Sequence, residues 1–356
     1  MEKRWAIIRL TVCYSLCVSL ILSAFYSIIS IKTENKIPTF SIGFSDNLTV
    51  FSTELSSEKE TENITSVTPE KEENSSQNVS NNNQNSVEVS AGTVKGNVIE
   101  KYISPYTAPM SYNGVYMKNS TGLSIDIKSL LSSKLSFKIE KNNQPQVLIY
   151  HTHATETFLE NDAKTYGTNY TARTTDNSKN MNMIGDIIAK KLNDAGIKTL
   201  HDKTLHDNPQ YSGSYTRSAK TINNYLSKYK SIKIILDLHR DSVTVTGNDK
   251  AKLTTTINGK KAAQVMLVMG SQSGSIKNHP NWQENLKLAL KLQQTLETKY
   301  PTLARPLSIA SKNYNQSLSK GALLIEFGTD MNSINEVKYS ADLVGDSLIS
   351  LLNTLC

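Results

Sequence analysis

The sequence predicts an α/β domain built on a mainly parallel, twisted sheet with helices on both faces, preceded by a transmembrane helix and a disordered tether. Three observations carry this expectation. From Pro145 onward, short apolar runs alternate with longer amphipathic ones. Residues 5–31, WAIIRLTVCYSLCVSLILSAFYSIISI, are apolar apart from Arg9 and small hydroxyl residues. Between these regions lies a stretch rich in Asn, Ser and Glu, such as ENSSQNVSNNNQNSVEVS, with no sustained apolar period.

The apolar segment follows Lys3 and Arg4 and leaves about 20 residues from Leu10 onward, enough to cross a bilayer at roughly 1.5 Å per residue. A cleaved signal peptide is the rival reading, since Ser23 and Ala24 are small. The apolar run, however, exceeds the ~7–15 residues of a signal core and continues through Phe25 and Tyr26. Residues 1–32 are therefore expected to be a cytoplasmic tip and membrane anchor. The basic residues before the span place the remainder on the extracytoplasmic side. Residues 33–105 cannot bury enough apolar surface to offset their ordering entropy and are expected to be a disordered linker. Residues 106–356 are the expected folded domain.

Within that domain, VLIY at 147–150 reads as a buried strand. The helix at 180–196 places Ile184, Ile187, Ile188 and Leu192 on one face and stops at Gly196. GIKTL suggests the next strand, and residues 214–230 repeat apolar side chains at helical spacing. Residues 231–239 and 262–270 read as strands, 281–300 as a helix, ALLIEFG at 322–328 as a last strand, and about 332–352 as a closing helix. Strands alternating with helices imply parallel pairing, and ligand sites in such sheets gather beyond the carboxyl ends of the strands.

Composition narrows the chemistry. The folded part carries thirty basic against twenty acidic side chains, a net +10, which suits an anionic polymer or lipid headgroups as readily as plain solubility. Cys13 and Cys17 lie in the apolar span and Cys356 ends the chain, so the folded domain has neither an internal disulfide nor a thiol nucleophile. No Gly-rich phosphate loop precedes a helix, which removes the usual basis for nucleotide chemistry, and the extracytoplasmic placement disfavours nucleic acid.

Three of the most apolar strands end in groups suited to metal or acid–base chemistry. VLIY runs into His151 and His153, IIL into Asp237 and His239, and ALLI into Glu326. Imidazole and carboxylate are the ligands of a catalytic zinc, which takes three protein groups and keeps one position for water. A further carboxylate can take that water's proton during attack on a carbonyl.

PQVLIYHTHATETF, ILDLHRDS and LLIEFGTDMN, together with the anchor and tether, resemble the stage II sporulation protein P family of the zinc-dependent N-acetylmuramoyl-L-alanine amidase superfamily. The resemblance covers roughly residues 113–353. It implies an amidase-like fold, a Zn2+ cofactor, and hydrolysis of the amide between the muramic lactyl group and L-alanine, with endopeptidase activity on cross-links. It also implies a role in septal wall degradation and forespore engulfment at the mother-cell membrane, with sporulation proteins D and M as partners. The superfamily patterns map metal ligands onto His153 and His239 and the catalytic glutamate onto Glu326. The superfamily's third ligand, a glutamate opening the helix after the first strand, is absent, because Asn180 and Asn182 stand there. Glu156 and His151 are the two replacements.

Arg240 and Asp241 follow His239 directly and are candidates to orient ligands or hold substrate, with a plain ion pair as the bland alternative. His201 and His206, beside Asp202 and Asp207, are candidates for a second metal. His279 is a candidate substrate-side residue. Tyr166, Tyr170, Tyr211 and Tyr215 are candidates for a glycan groove, or for ordinary packing. Two other functions fit the same residues: a zinc carboxypeptidase acting on stem peptides, and a non-catalytic wall-binding scaffold on an amidase fold.

Overall fold

A computed structural model of the chain describes residues 93–356. The expected anchor and most of the expected tether lie outside the described residues. Among the described residues no helix is long and apolar enough to cross a membrane. Strand β1, Val94–Lys101, falls inside the stretch read as disordered linker, so the folded part begins about a dozen residues before position 106. Val98 is buried and the strand pairs on both sides. Neither contact is visible in the local polar composition.

In chain order, β1 is followed by β2 (Met110–Tyr112), β3 (Val115–Asn119), α1 (Ile127–Ser132), β4 (Val147–Tyr150), β5 (Thr165–Gly167), α2 (Met181–Asp194), β6 (Thr199–His201) and α3 (Ser214–Lys228). Then come β7 (Ile234–Asp241), β8 (Thr244–Thr246), β9 (Asp249–Ile257), β10 (Lys260–Ala263), β11 (Val265–Gly270), α4 (Trp282–Lys299), β12 (Leu307–Ala310), β13 (Ala322–Thr329) and α5 (Ile334–Asn353). Eight strands form a sheet in the order β2-β3-β12-β11-β13-β7-β4-β6. A second sheet runs β10-β9-β1-β5, with β8 added against β9.

Both sheets are mixed, which corrects the expected mainly parallel arrangement. In the large sheet β2 pairs antiparallel with β3, and β11 pairs antiparallel with β13. In the small sheet β1–β5, β9–β10 and β8–β9 are antiparallel. The reason lies in the connections. Parallel neighbours need a crossover of a dozen or more residues, whereas the chain reaches β11 from β7 through the tight turns of β8, β9 and β10 and enters the sheet reversed. The turn between β9 and β10 is Asn258-Gly259, both at positive φ, the pair favoured in two-residue hairpins. What reads in sequence as one strand over 262–270 is β10 and β11 joined at Gln264, whose side chain bonds the backbone of Ile103 and Thr302.

The central four strands, β13-β7-β4-β6, are all parallel. Their alternating side chains divide between two cores. Val147, Ile149, Leu236, Leu238, Leu323, Ile325 and Phe327 join the large cluster, to which α2, α4 and α5 contribute. Leu148, Tyr150, Ile235 and Ala322 meet Ile222, Tyr225 and Leu226 of α3. Helices thus cover both faces, which is why VLIY of β4, IIL of β7 and ALLI of β13 are continuous apolar runs rather than alternating ones.

The last helix is tied firmly to the chain. Ser333 caps α5 by accepting the Glu336 N–H, and Glu336 Oε2 accepts the Ser333 N–H at 2.9 Å in return. The other oxygen of Glu336 accepts from the buried Lys252 Nζ at 2.9 Å, which links the cap to β9. Replacing Ser333 with Ala is expected to cost about 1 kcal/mol of stability, read as a lower urea midpoint at unchanged slope.

Candidate active site at the strand ends

Register brings the chemical groups together. Tyr150 of β4 lies level with Asp237 of β7, so His151 and His153 follow just beyond that level. His239 lies level with Glu326 of β13. On β7, Asp237, His239 and Asp241 share one face by the two-residue period of a strand. After Glu326 the β13 pairing shifts register, and Gly328 takes φ +60°. A Cβ there would stand 2.6 Å from Asn332 Oδ1, so the I-E-F-G pattern needs its glycine.

The H-T-H segment divides its two histidines. Thr152 anchors it, donating from N to Asp237 Oδ1 at 2.8 Å and from Oγ1 to Asp237 Oδ2 at 2.6 Å. His151 is fully buried with both ring nitrogens committed: Nδ1 lies 3.1 Å from the Leu238 carbonyl and Nε2 2.9 Å from His201 Nε2. His201 Nδ1 in turn pairs with Asp186 at 3.0 Å. Gly185 makes room for this pair, since a Cβ on it would sit 2.3 Å from His201 Nε2. The structure therefore places His151 in a supporting contact and not among the open donors.

His153 faces His239, with ring centroids 5.3 Å apart at 82°. Its Nε2 bonds the Tyr211 hydroxyl at 3.1 Å, and its Nδ1 is buried with no hydrogen-bond partner among the described residues. Burial, followed by the charges of His239 and Arg173, pushes His153 down to about 2, so the ring is neutral. His239 Nδ1 lies 3.6 Å from Glu156 Oε2, and Nε2 lies 2.9 Å from Asp237 Oδ1 in a contact too bent to count as a hydrogen bond. Burial disfavours charge on His239, but Asp237, Glu156 and Glu326 outweigh it and push the ring up to about 10. Glu156 accepts the Arg240 N–H at 3.0 Å, and its carboxyl is raised by burial against the opposing charges of Arg240 and His239.

Glu326 is buried, and its Oε2 has no hydrogen-bond partner among the described residues. Burial and then the Asp241 carboxylate push it up to about 8, with Glu156 adding to the shift and His239 and Arg305 opposing it. Asp241 binds the fully buried Arg305 at 2.9 Å and also accepts the Ser242 N–H. Arg240 uses its guanidinium on the carbonyls of Thr157 and Ala172, at 3.1 and 2.8 Å. Arg240 and Asp241 therefore brace the walls of the site rather than standing open to a substrate.

Of the remaining candidates, His206 bonds the His151 carbonyl and Thr221, and Asp207 takes Thr155 and Arg173. His279 is fully buried, with neither ring nitrogen partnered among the described residues. Asn180 caps α2, and Asn182 donates to Asn177 and the Lys203 carbonyl. Tyr166 and Tyr170 pack edge to face and bond the carbonyls of Asn248 and Asp330. Arg305 and the anchoring role of Thr152 have no sequence signal, because their partners lie 64 and 85 residues away. Asp237 did have one, in the two-residue spacing of D-L-H.

The donor types suit zinc. Glu156 Oε2 and His239 Nδ1 stand 3.6 Å apart, close to the roughly 3.4 Å edge of a tetrahedral shell with bonds of about 2.1 Å. His153 Nδ1 is a neutral, unpartnered nitrogen beside them. Yet among the described residues no three His, Cys, Asp or Glu side chains already stand as a metal-holding group.

The model of the Stage II sporulation protein P family matches residues 28–349. Stage II sporulation protein P of Bacillus subtilis (strain 168) is 32% identical over 213 residues, which is 56% of this chain and 49% of that protein, so the match spans about half the relative's length. Among solved structures, the apo N-acetylmuramyl-L-alanine amidase Ami1 of Mycobacterium abscessus is 12% identical, covering 60% of this chain and 99% of that one, with a TM-score of 0.34. The CwlD amidase of Clostridioides difficile, solved in complex with the GerS lipoprotein, is 9% identical, covering 59% and 98%, with a TM-score of 0.36. The family match takes in every strand-end group described above, and the chain belongs to the Stage II sporulation protein P family.

Proposed function

We propose that this site hydrolyses an amide of peptidoglycan, as a zinc-dependent N-acetylmuramoyl-L-alanine amidase that thins the septal wall during sporulation. The observation that carries the reading is Glu326. It is a buried carboxyl with one unpartnered oxygen, pushed up to about 8, level with a histidine on the neighbouring strand. A carboxyl poised near neutral pH is suited to taking a proton and returning it. The family's place in stage II of sporulation supports the setting. In the same reading residues 1–32 anchor the chain in the mother-cell membrane, the catalytic domain faces the intermembrane space, sporulation proteins D and M are its partners, and stem-peptide cross-links are a second substrate.

His153, His239 and Glu156 are the residues that would hold zinc, which when bound polarises the scissile carbonyl and acidifies the attacking water. Glu326 Oε2 takes the proton of that water and delivers it to the departing amine of L-alanine. Arg305 holds Asp241, and Arg240 holds the 157 and 172 carbonyls, so the carboxylates around Glu326 keep their places during the transfer. Asp237 ties the loop carrying His153 to the strand carrying His239. A wall-binding scaffold is the second reading, favoured by the absence of a ready three-donor group among the described residues.

On purified sacculi the full-length chain is expected to release intact stem peptides, identified by mass spectrometry. Glu326→Gln, folded and zinc-loaded, should slow release by about 10²–10⁴-fold. Loss of only a terminal residue would indicate a carboxypeptidase. No release, together with no bound zinc, would indicate the scaffold.

The raised Glu326 also sets a pH dependence. Its folded value, about 8, lies above the unfolded 4.5, so the folded chain holds a proton that the unfolded chain releases in between. That stabilisation is complete below pH 4.5 and is lost as pH rises to about 8. Metal-free wild type should therefore lose stability relative to Glu326→Gln across this window, at a slope approaching roughly 1 kcal/mol per pH unit, measured by urea unfolding.

A further inference from the structure

Two consecutive residues of the loop between β12 and β13, Tyr314 and Asn315, take φ +53° and +57°. Asparagine tolerates the left-handed region, but a bulky aromatic there is an outlier, and such strain persists only where surrounding bonds over-determine the backbone. Here they do. Asn315 Nδ2 donates to the Tyr215 carbonyl at 2.8 Å and to Ser218 Oγ at 3.0 Å. Ser218 Oγ lies 2.9 Å from Thr152 Oγ1, the hydroxyl that anchors the H-T-H segment on Asp237. The next residue, Gln316, donates to the Val268 carbonyl at 2.9 Å and accepts the Gly270 N–H at 2.8 Å. None of these bonds comes from the Tyr314 side chain.

What the strained backbone achieves is the placement of that ring. Tyr314 is half-buried, and its ring centroid lies 6.4 Å from that of Tyr215 at 42°. Tyr215, also half-buried, stands edge-on to His153, 5.8 Å away at 89°. An aromatic wall thus runs from His153 through Tyr215 to Tyr314. Burial and then the charge of Glu326 push the Tyr314 phenol up to about 12, so the ring lies within the field of the proposed proton carrier. Glu326 returns its proton to the departing amine in the amidase reading, and a partly open ring beside it meets the residue that leaves.

We propose that Tyr314 is a specificity-determining residue: its ring lines the leaving-group side of the site and packs on the side chain of the first stem-peptide residue, the methyl group of L-alanine. The proposal rests on the amidase reading above. A single methyl held against an apolar wall is worth about 10-fold or more in kcat/KM, enough to separate L-alanine from glycine at that position.

The test uses the zinc-loaded full-length chain and two synthetic N-acetylmuramoyl-tripeptides, one beginning with L-alanine and the other with glycine. Tyr314→Asn and Tyr314→Gly remove the ring while fitting the left-handed backbone, and Tyr314→Phe keeps the ring. Wild type and Tyr314→Phe are expected to prefer the L-alanine substrate by about 10-fold or more in kcat/KM, and the Asn and Gly variants by less than about 3-fold. A merely structural ring would lower the rates on both substrates together and leave their ratio unchanged. An unchanged ratio in a folded variant, or no preference in wild type, overturns the role of Tyr314 and leaves the amidase reading standing. If neither ring-free variant folds, the ring is a packing element and the proposal is overturned, while wild-type cleavage still judges the amidase reading. If wild type cleaves neither substrate and releases nothing from sacculi, the amidase reading fails and the role of Tyr314 falls with it.

Discussion

The carboxylate of Asp237 is the interaction on which the site depends. It is almost fully buried in the middle of the parallel strands, and a buried charge persists only where donors surround it. Thr152 supplies two of these, from its backbone and from its hydroxyl, and His239 stands beside the same oxygen. One carboxylate thereby joins the loop after β4 to the end of β7 and sets the spacing between His153 and His239. Without it, two strand ends would carry histidines with nothing to hold them at a shared distance.

A second feature follows from how charge is stored around that point. Asp237, Glu156 and Glu326 all act on His239, and Asp241 acts on Glu326 from the other side. The cations answering them are partly structural: Arg305 is buried against Asp241, and the Arg240 side chain is spent on carbonyls. Burial nevertheless outweighs these cations at two of the carboxyls, Glu156 and Glu326, and both are raised. In the proposed hydrolase, this field attracts a metal cation to the imidazoles and keeps Glu326 near the pH at which a proton can be both taken and returned.

The groups around this centre were legible in the sequence to different degrees. VLIY, IIL and ALLI read as strands covered on both faces, and each ends in residue types suited to metal or acid–base chemistry. His153 as the ligand and His151 as a reserve were separable only through the family pattern; in the structure the Thr152 anchor sends them to different partners, His239 and His201. Tyr211 carries no motif at all. It meets His153 across 58 residues through a loop whose course is set by Arg217.

By itself, the sequence determined the central parallel strands, the helices that cover them and the three loaded strand ends. These follow from apolar periodicity and from residue types that are costly to bury, both of which are local. The tertiary structure alone decided that β1 is ordered, that the sheets are mixed, that β8 to β10 build a second sheet, and which nitrogen of which histidine stays open. Each of these is a pairing between residues far apart in the chain, governed by where hairpins turn and by which buried polar groups find partners. A pattern of neighbours along the sequence carries no record of either.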